Sequence, residues 1–554
     1  MWGFINNLLN YLRKYKMSPP NETPDTRVKG CFEFLMRKLI LLFIPIIFCV
    51  YSFDSVFYAT AEAKQAFSFQ NVIDKASELS KQSYNKNDGK VPEFLLNISY
   101  DNWRDIRFKP EHALWAKDKL LFTAQFFHPG LYYDRTIKIH VIDPSGVSDV
   151  PFSPDLFDYG RNNFKTMVPP DLGFAGFRLH YPINNLDYYD EVVVFLGASY
   201  LRAVGQKMNY GISARGLAIN TALSSGEEFP YFKEFWLVKP SAGTRHITIY
   251  ALLDSPSVTG AYKYIIYPWK ETLMRVTSRI FLRNSVEKLG IAPLTSMFFY
   301  GENTNQRPVD DFRLEVHDSD GLMMATGSGE WIWRPLRNPK SLLVTSFQDS
   351  NPVGFGLIQR DRHFCHYQDL ESHYESRPSV WVTPVGNWGE GRVELIQLPL
   401  IASENNNNIV LFWVPSNLSE SKQSYAFSYE LNWHLSGRTR PPMGRVIATR
   451  TARPKENIVK FVIDYVGERL QSLPSDSPLT AVISMDPKAT LVEQQLYKNR
   501  ETRGWRLVFQ IALEESSPIE ALLPPDKKAT LELRAFLKLN ESKLTETWSY
   551  AYQP

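Results

Sequence analysis

The sequence predicts an all-β fold with a large N-terminal β-sandwich and a smaller C-terminal sandwich of immunoglobulin type. Short apolar runs recur along the chain between Gly, Asp, Asn and Pro residues, a pattern typical of antiparallel strands joined by turns. No long helical periodicity alternates with these runs, which disfavours a parallel sheet with crossover helices. The 554 residues also exceed one ordinary domain. We therefore expect two sandwiches in one chain.

One helix is predicted, shortly after the first 61 residues. Apolar residues at helical spacing between Phe69 and Leu79 predict an amphipathic helix over 69–80. The strands predicted in the first sandwich include 138–142, 191–196, 246–253, 264–267 and 392–398. Those predicted in the second sandwich are 457–465, 480–485, 505–512 and 530–537.

The domain boundaries follow from a change in composition near residue 436. Residues 62–435 are predicted to form the first sandwich. The segment 436–445, rich in Gly, Pro and basic residues, is predicted to be a linker. The following residues, 446–554, have the length and strand spacing of a seven-stranded immunoglobulin-like sandwich, although they lack its Cys–Trp–Cys signature.

Residues 1–61 have the features of a secretory signal peptide. The apolar run Leu39–Phe53 follows Arg37 and Lys38 and precedes two A-x-A sites between Ala59 and Ala63. No twin-arginine pair precedes the run, so we expect export by the general secretory route. The alternative is an uncleaved membrane anchor. Residues 1–35 make an unusually long basic region, and we interpret them as a spurious extension before a start at Met36.

Charge and cysteine content exclude some classes of protein. Residues 1–61 hold seven Lys or Arg and four Asp or Glu, which leaves the rest of the chain balanced and without the basic patch that nucleic-acid binding needs. Beyond the leader there is one cysteine, Cys365, so no intramolecular disulfide can form there. No phosphate-binding loop, dinucleotide fingerprint, zinc-protease motif or serine-hydrolase elbow is present. The string from Asp318 to Gly321 lacks the spacing of a calcium loop. No cofactor and no metal site are predicted.

Six segments place Arg and carboxylate side chains among glycines and aromatic rings, a composition typical of sugar-binding clefts. Taken one by one, they are equally well explained by turn glycines and core aromatics. From these segments we select Arg215, Trp331, Arg334 and Tyr374 as candidate substrate-binding residues. The segments are 197–202, 210–216, 226–230, 315–321, 329–335 and 374–378.

The same segments resemble the glucans biosynthesis protein G/D family. Matching strings include Gly-Glu-Trp-Ile-Trp-Arg-Pro-Leu at 329–336 and His-Asp-Ser-Asp-Gly-Leu at 317–322. The resemblance begins near Phe67 and extends to Thr545–Tyr550. The absence of a twin-arginine signal favours the G-type branch. The further matching strings are 171–177, 196–200, 210–219, 225–230, 251–256, 260–262, 292–298, 354–360 and 377–382.

The resemblance implies a fold, a location and a substrate. The family combines a carbohydrate-active β-sandwich with an immunoglobulin-like domain. Its members act in the periplasm on osmoregulated glucans with a β-1,2-linked glucose backbone, which a membrane glucosyltransferase makes upstream. The D-type branch contains inverting β-1,2-glucanases. The oligomeric state is not implied.

The resemblance also assigns residues, and one of them departs from the family pattern. Inverting hydrolysis uses two carboxyl groups ~6.5–9.5 Å apart. Asp318 matches the general base. The general acid falls on Asn407, whose amide cannot donate a carboxyl proton. Glu404 matches a substrate-contacting Glu, and Tyr374 matches a Tyr of the same cleft.

Three interpretations remain open. The first is a glucan-binding protein of backbone synthesis with weak or no hydrolysis. The second is an active inverting β-1,2-glucanase that uses another acid, for which Glu404 is the nearest candidate. The third is a carbohydrate epimerase or lyase on a similar sandwich, since fold alone does not determine chemistry.

Overall fold

The computed structural model describes residues 67–553 except 87, 305–306, 401–402, 417–423, 436–440 and 515–529. All of these residues belong to one compact unit, Phe67–Pro554. The predicted signal peptide and half of the predicted linker lie outside the described residues.

The all-β prediction is confirmed, because the described residues form many strands and only short helices. The strands are β1 (Arg107–Phe108), β2 (Thr123–Phe127), β3 (Lys138–Asp143), β4 (Gly146–Asp149), β5 (Phe157–Asp158), β6 (Gly176–Asn185), β7 (Tyr188–Leu196), β8 (Tyr200–Ala203), β9 (Ser213–Arg215), β10 (Ala218–Ile219), β11 (Tyr231–Val238), β12 (Ile247–Asp254), β13 (Val258–Tyr267), β14 (Thr272–Leu282), β15 (Leu289–Ser296), β16 (Phe298–Tyr300), β17 (Val316–His317), β18 (Gly321–Ala325), β19 (Trp331–Pro335), β20 (Leu343–Ser350), β21 (Gly354–Ile358), β22 (Ser379–Val385), β23 (Glu390–Gln397), β24 (Ile409–Pro415), β25 (Ser424–His434), β26 (Arg445–Lys455), β27 (Ile458–Val466), β28 (Leu479–Met485), β29 (Ala489–Asn499), β30 (Gly504–Leu513), β31 (Leu531–Leu539), β32 (Ser542–Lys543) and β33 (Thr547–Tyr552).

The helices of the described part are short. The α-helices are Phe69–Ser80, Glu93–Leu96, Tyr100–Arg104, Phe364–Tyr367 and Glu468–Ser472, and single 3₁₀ turns cover Pro110–His112, Pro154–Leu156, Lys165–Met167 and Tyr374–Ser376. Across the described residues, none of these helices has the length and apolar character that crossing a bilayer requires.

The predicted helix 69–80 is confirmed at both ends. Its first turn is capped by Asn71, whose Oδ1 accepts the N–H of Ser68 at 2.8 Å. Val72 and Ala76, one turn apart, are fully buried and form a small cluster with Trp236. The helix therefore covers the outer face of one large sheet with its apolar stripe.

Two large sheets form the main sandwich. The first has the strand order β2-β6-β7-β8-β9-β15-β24-β23-β20, with β10 added beside β15. The second runs β28-β31-β33-β19-β18-β21-β22-β25-β14-β13-β12-β11-β3-β4, with β32 beside β31. Nearly all neighbours are antiparallel, as predicted, but β3 pairs with β11 and β19 pairs with β33 in parallel.

Large aromatic side chains fill the space between these sheets. Phe177 and Phe195 of the first sheet stack at 5.1 Å, and Phe195 meets Tyr264 of the second sheet edge-on at 5.3 Å. Both phenylalanines and Tyr264 are buried. The aromatic excess of the sequence is therefore used largely to hold the two sheets together.

Residues 445–552 form a second sandwich. A four-stranded sheet, β26-β27-β30-β29, faces the β28-β31-β33 end of the long sheet. Phe461, Phe509 and Trp548 meet in its core, with ring centroids 5.0–6.0 Å apart. Because β33 also pairs with β19, the long sheet passes from one sandwich into the other. The division into two domains at residues 436–445 stays a prediction.

Candidate functional site

The segment Thr295–Phe298, at the end of β15, brings the two predicted catalytic positions together. The N–H of Asp318 donates to the carbonyl of Met297 at 2.8 Å. Two residues earlier in the segment, Oγ1 of Thr295 accepts a hydrogen bond from Nδ2 of Asn407 at 3.4 Å. Residues that are far apart in sequence therefore border the same short piece of backbone.

Buried polar side chains hold this segment in place. Asn408 is buried and clamps Phe298, since its Oδ1 accepts the N–H of Phe298 at 2.8 Å and its Nδ2 donates to the Phe298 carbonyl at 3.0 Å. The hydroxyls of Ser296 and Ser319 lie 2.7 Å apart, which ties the segment to the loop that carries Asp318. These bonds fix the backbone on which both catalytic positions depend.

Asp318 forms an ion pair beneath the surface. Its carboxylate accepts a hydrogen bond from Nη1 of Arg377, and the Asp318 side chain is 6% exposed. The Arg377 guanidinium lies 4.2 Å from the ring centre of Tyr374 and donates from Nε to the Ser372 carbonyl at 3.0 Å. Arg377 thus orients Asp318, the candidate general base, and is itself held by the Tyr374 ring and the Ser372 carbonyl.

The charges of the two carboxylates that the family resemblance selects both act on Tyr374. Burial raises its pKa to about 12; Arg377 opposes the rise, and the nearby carboxylates of Asp318 and Glu404 add to it. The phenol is therefore neutral at physiological pH. The shared electrostatic influence brings Asp318, Tyr374 and Glu404 into one cluster.

Glu404 belongs to a group of carboxylates gathered around Arg313. Nη1 of Arg313 donates to Glu404 at 3.0 Å and to Asp369 at 2.9 Å, and its Nη2 donates to Asp311 at 2.7 Å. Hydrogen bonding to Arg313 lowers the pKa of Asp311 well below its usual range. The Glu404 side chain remains 29% exposed, so one edge of this group faces solvent.

A buried network supports the cluster from behind. Gln359 donates from Nε2 to the carbonyls of His317 and Tyr374, both at 3.3 Å, so its Oε1 faces Nδ1 of His317 at 3.0 Å. Burial opposes a charge on His317, but Glu315 and Asp320 outweigh it and raise the His317 pKa to about 9. This network carries a charged histidine directly beside Asp318 in the sequence.

Two groups in this network could hold a metal ion. Glu315, His317 and Asp320 form one, and Glu315, Asp361 and His366 form the other; within each, the ligand atoms lie within 4.8 Å of one another. In the first group, however, Nε2 of His317 is already hydrogen-bonded to Glu315 at 2.8 Å. Hydrogen bonds between these residues account for the arrangement without an ion, so no metal is proposed.

Arg215 lies on β9, on the same sheet as the Thr295 segment. It pairs with Glu227 at 2.8 Å and lies between the rings of Tyr200 and Phe229, at 5.2 and 5.0 Å. Its Nε and Nη2 atoms are buried and have no hydrogen-bond partner among the described residues. Part of its hydrogen-bonding capacity is therefore unused.

Two other predicted site residues make their contacts elsewhere. Arg334 donates to both carboxylate oxygens of Glu532, at 2.6 and 2.7 Å, and to Ser549 at 2.9 Å, which links β19 to β31 and β33. Trp331 stacks on Trp381 with ring centres 6.0 Å apart. The structure does not bring either side chain into the Asp318 cluster, and their contact with a substrate stays a prediction.

Several residues of the cluster were missed by sequence analysis. Arg377 follows Tyr374 within a string that resembles the family, and an Arg three positions from a site Tyr was a usable signal. Arg313 gave no signal, because its partners Asp311, Asp369 and Glu404 are spread along the chain and meet only after folding. Thr295 and Asn408 likewise show their roles only in the folded protein.

The chain is similar to known proteins over almost all of the described part. The family model described as "Periplasmic glucan biosynthesis protein, MdoG" matches residues 67–552. The chain is 45% identical over 507 residues to glucans biosynthesis protein G of Ralstonia nicotianae, covering 90% of this chain and 98% of that protein. Among solved structures, the N-terminal domain of the Streptococcus gordonii adhesin Sgo0707 aligns with 8% identity and a TM-score of 0.14, over 86% of this chain and 96% of that one. A TM-score this low carries no structural argument.

Proposed function

The chain belongs to the MdoG family of periplasmic glucan biosynthesis proteins, and from this premise we propose that it binds the β-1,2-glucan backbone in the periplasm with weak or no hydrolysis. A role in glucan biosynthesis follows from the family. The backbone linkage and the balance between binding and cleavage are the parts we propose. We further propose that the predicted signal peptide delivers the protein to the periplasm and that a membrane glucosyltransferase supplies the nascent chain.

The residue at position 407 carries the proposal of weak hydrolysis. An inverting glycosidase needs a protonated carboxyl group on the leaving-group side of the bond and a carboxylate that activates water on the other. Asp318 supplies the carboxylate. Asn407, which bonds Thr295 of the same segment, has an amide, which cannot donate the required proton. General-acid help of ~10²–10⁴-fold is therefore absent at that place.

The surrounding side chains support binding. Arg377 and Arg313 carry guanidinium groups, and Asp318 and the partly exposed Glu404 carry carboxylates, whereas the ring of Tyr374 is buried against Arg377. Guanidinium and carboxylate groups form charge-assisted hydrogen bonds with hydroxyl groups, and sugars are rich in hydroxyls. A polyhydroxylated chain suits such a site better than an apolar ligand does.

One observation favours a second function, that of an active inverting β-1,2-glucanase. Glu404 lies in the same cluster as Asp318, and its side chain is partly exposed. A carboxyl group on the solvent edge of the cluster is a candidate substitute for the missing acid. In that case the natural protein cleaves the glucan at a normal rate.

A digestion assay separates these functions. We expect linear β-1,2-glucan to show calorimetric binding but few new reducing ends after prolonged incubation. Rapid release of reducing ends that Glu404→Gln abolishes would instead establish the glucanase. Unsaturated or epimerised products would point to a lyase or epimerase. Binding to an unrelated polymer, with no heat from β-1,2-glucan, would overturn the proposed substrate.

A further inference from the structure

We propose that the glucan site extends across the outer face of the ten-stranded sheet to a distal subsite formed by Trp103, Tyr132, Tyr133 and Phe229. This inference rests on the proposed function, since it takes the same glucan as the ligand. It adds a second place of contact, outside the Asp318 cluster. We refer to these four residues as the aromatic subsite.

The register of the sheet provides the path from the catalytic positions to this subsite. Thr295, which contacts Asn407, lies directly opposite Ser213 of β9. Nε of Arg202, on β8, donates to the Ser213 hydroxyl at 2.7 Å. The alternate residues Leu294, Ala214 and Leu201 are buried in the core, so Thr295, Ser213 and Arg202 share the opposite, outer face.

The row of residues that contains Thr295, Ser213 and Arg202 carries further polar side chains in one direction along the sheet and apolar side chains in the other. Beyond Arg202, the register continues through Val194 to Arg178, which donates to Gln125 at 2.9 Å. On the other side of Thr295, the same row carries the buried apolar residues Val410 and Ile396. Thr295 and Ser213 are themselves buried, so Arg202, which is exposed, is the first polar side chain of this row that a ligand on the outer face can contact.

The aromatic subsite stands where this row reaches β8. The ring of Tyr133 packs against that of Trp103 with centres 5.0 Å apart, and it lies over Gly197, where an added Cβ would come within 3.2 Å of the ring. Burial raises the pKa of Tyr133, and the charge of Arg202 opposes this rise, as expected for near neighbours. Strands are ~4.8 Å apart, so Arg202 is about 10 Å from Thr295.

Two exposed rings complete the subsite. Tyr132 is 79% exposed and Phe229 is 53% exposed, so both rings are open to a ligand. With Tyr133 they line a cavity of about 300 Å³ that also presents Asp134 and Arg135. Rings beside a carboxylate and a guanidinium match a sugar, which has apolar faces and hydroxyl edges.

Arg215 provides independent support, because it is buried and only partly satisfied. Phe229 covers its guanidinium, whose Nε and Nη2 atoms find no hydrogen-bond partner in the described part of the chain. A buried donor without an acceptor is costly and suggests that a ligand supplies the acceptor. Sugar hydroxyl oxygens would meet this need next to the subsite.

Binding measured against glucan length tests the inference. Calorimetry would compare a β-1,2-linked trimer with an octamer, because an octamer bound at the Asp318 cluster has further sugar units for the aromatic subsite. The variant is Tyr132→Ala combined with Phe229→Ala, which removes two exposed rings. The control is Tyr497→Ala, which removes a ring that is 49% exposed on β29.

We expect the double variant to bind the octamer on the order of five- to tenfold more weakly, given the usual contribution of ring contacts. Its trimer affinity and melting temperature should match those of the parent, and the Tyr497→Ala control should show no change. Equal loss for both lengths, or none for either, would overturn the aromatic subsite. Failure of the parent to bind either oligomer would instead overturn the proposed function.

Discussion

Restoring a carboxyl group at position 407 is the most direct test of why hydrolysis should be weak. Asn407→Asp is nearly isosteric, and the Thr295 hydroxyl that now accepts from the amide can donate to the new carboxylate. The packing of the buried neighbour Asn408 is not touched. The variant therefore adds a possible proton donor and little else.

The size of the effect depends on pH because the side chain at 407 is exposed. An exposed Asp has a pKa of about 3.9, so about one in ten molecules is protonated at pH 5 and about one in a thousand at pH 7. Multiplied by a general-acid contribution of ~10²–10⁴, this gives a gain of about 10- to 1,000-fold at pH 5. At pH 7 the gain shrinks to about tenfold at most.

The assay is the release of reducing ends from β-1,2-glucan at pH 5 and pH 7, with binding checked by calorimetry. Asn405→Asp is the matched control, since it makes the same change at an exposed position of the same tract. Adding Asp318→Asn to the Asn407→Asp variant should remove the gain, because acid and base act as a unit. If Asn407→Asp shows no gain at pH 5 while it binds normally, position 407 is not the acid site. A gain that stays constant up to pH 7 would refute the assumption of an exposed carboxyl group.

Three further predictions concern stability. Arg377→Met should lower the free energy of unfolding by about 3 kcal/mol in urea denaturation, because it leaves the carboxylate of Asp318 buried without its partner; Arg377→Lys should recover part of the loss. Asn408→Ala should lower the free energy of unfolding by about 1–3 kcal/mol in the same measurement, since the N–H of Phe298 loses its acceptor. An unchanged urea midpoint would contradict the role of Asn408 in holding Phe298. Burial raises the pKa of Glu302 from 4.5 to about 8, so this group makes the fold less stable as pH rises from about 4.5 to about 8. The melting temperature of the Glu302→Gln variant, relative to that of the parent, should therefore rise by about 2 °C or more between these pH values. A difference in melting temperature that stays constant with pH would refute the raised pKa of Glu302.

Helices and strands whose sequence signal lies within one short segment were predicted correctly from the sequence. Helix 69–80 was predicted to the residue because its apolar spacing and polar ends are contained in twelve positions. The predicted strands appear as β3, β7, β12, β13, β23, β27, β28, β30 and β31, most of them longer than expected. Their ends were missed because pairing with a neighbouring strand, which determines where a strand stops, is not visible in one segment.

The candidate site was predictable only where a residue falls in a recognisable string. Asp318, Tyr374 and Glu404 were selected in this way and do lie near one another. Arg313 was not, because its role depends on loops that approach one another only in the folded chain. Arg334 shows the opposite case: it stands in a string that resembles the family, yet its guanidinium is used to join strands.

The parallel pairing of β19 with β33 has a consequence for how the protein is made. Ile332 pairs with Thr547, and Arg334 bonds Ser549 across 215 residues of sequence. Contacts this distant form late, because a long loop must close before they are gained. Until β33 has emerged from the ribosome, β19 presents an open edge to other chains. A nascent protein that cannot complete its longest sheet stays extended for longer, which would suit the export route proposed above.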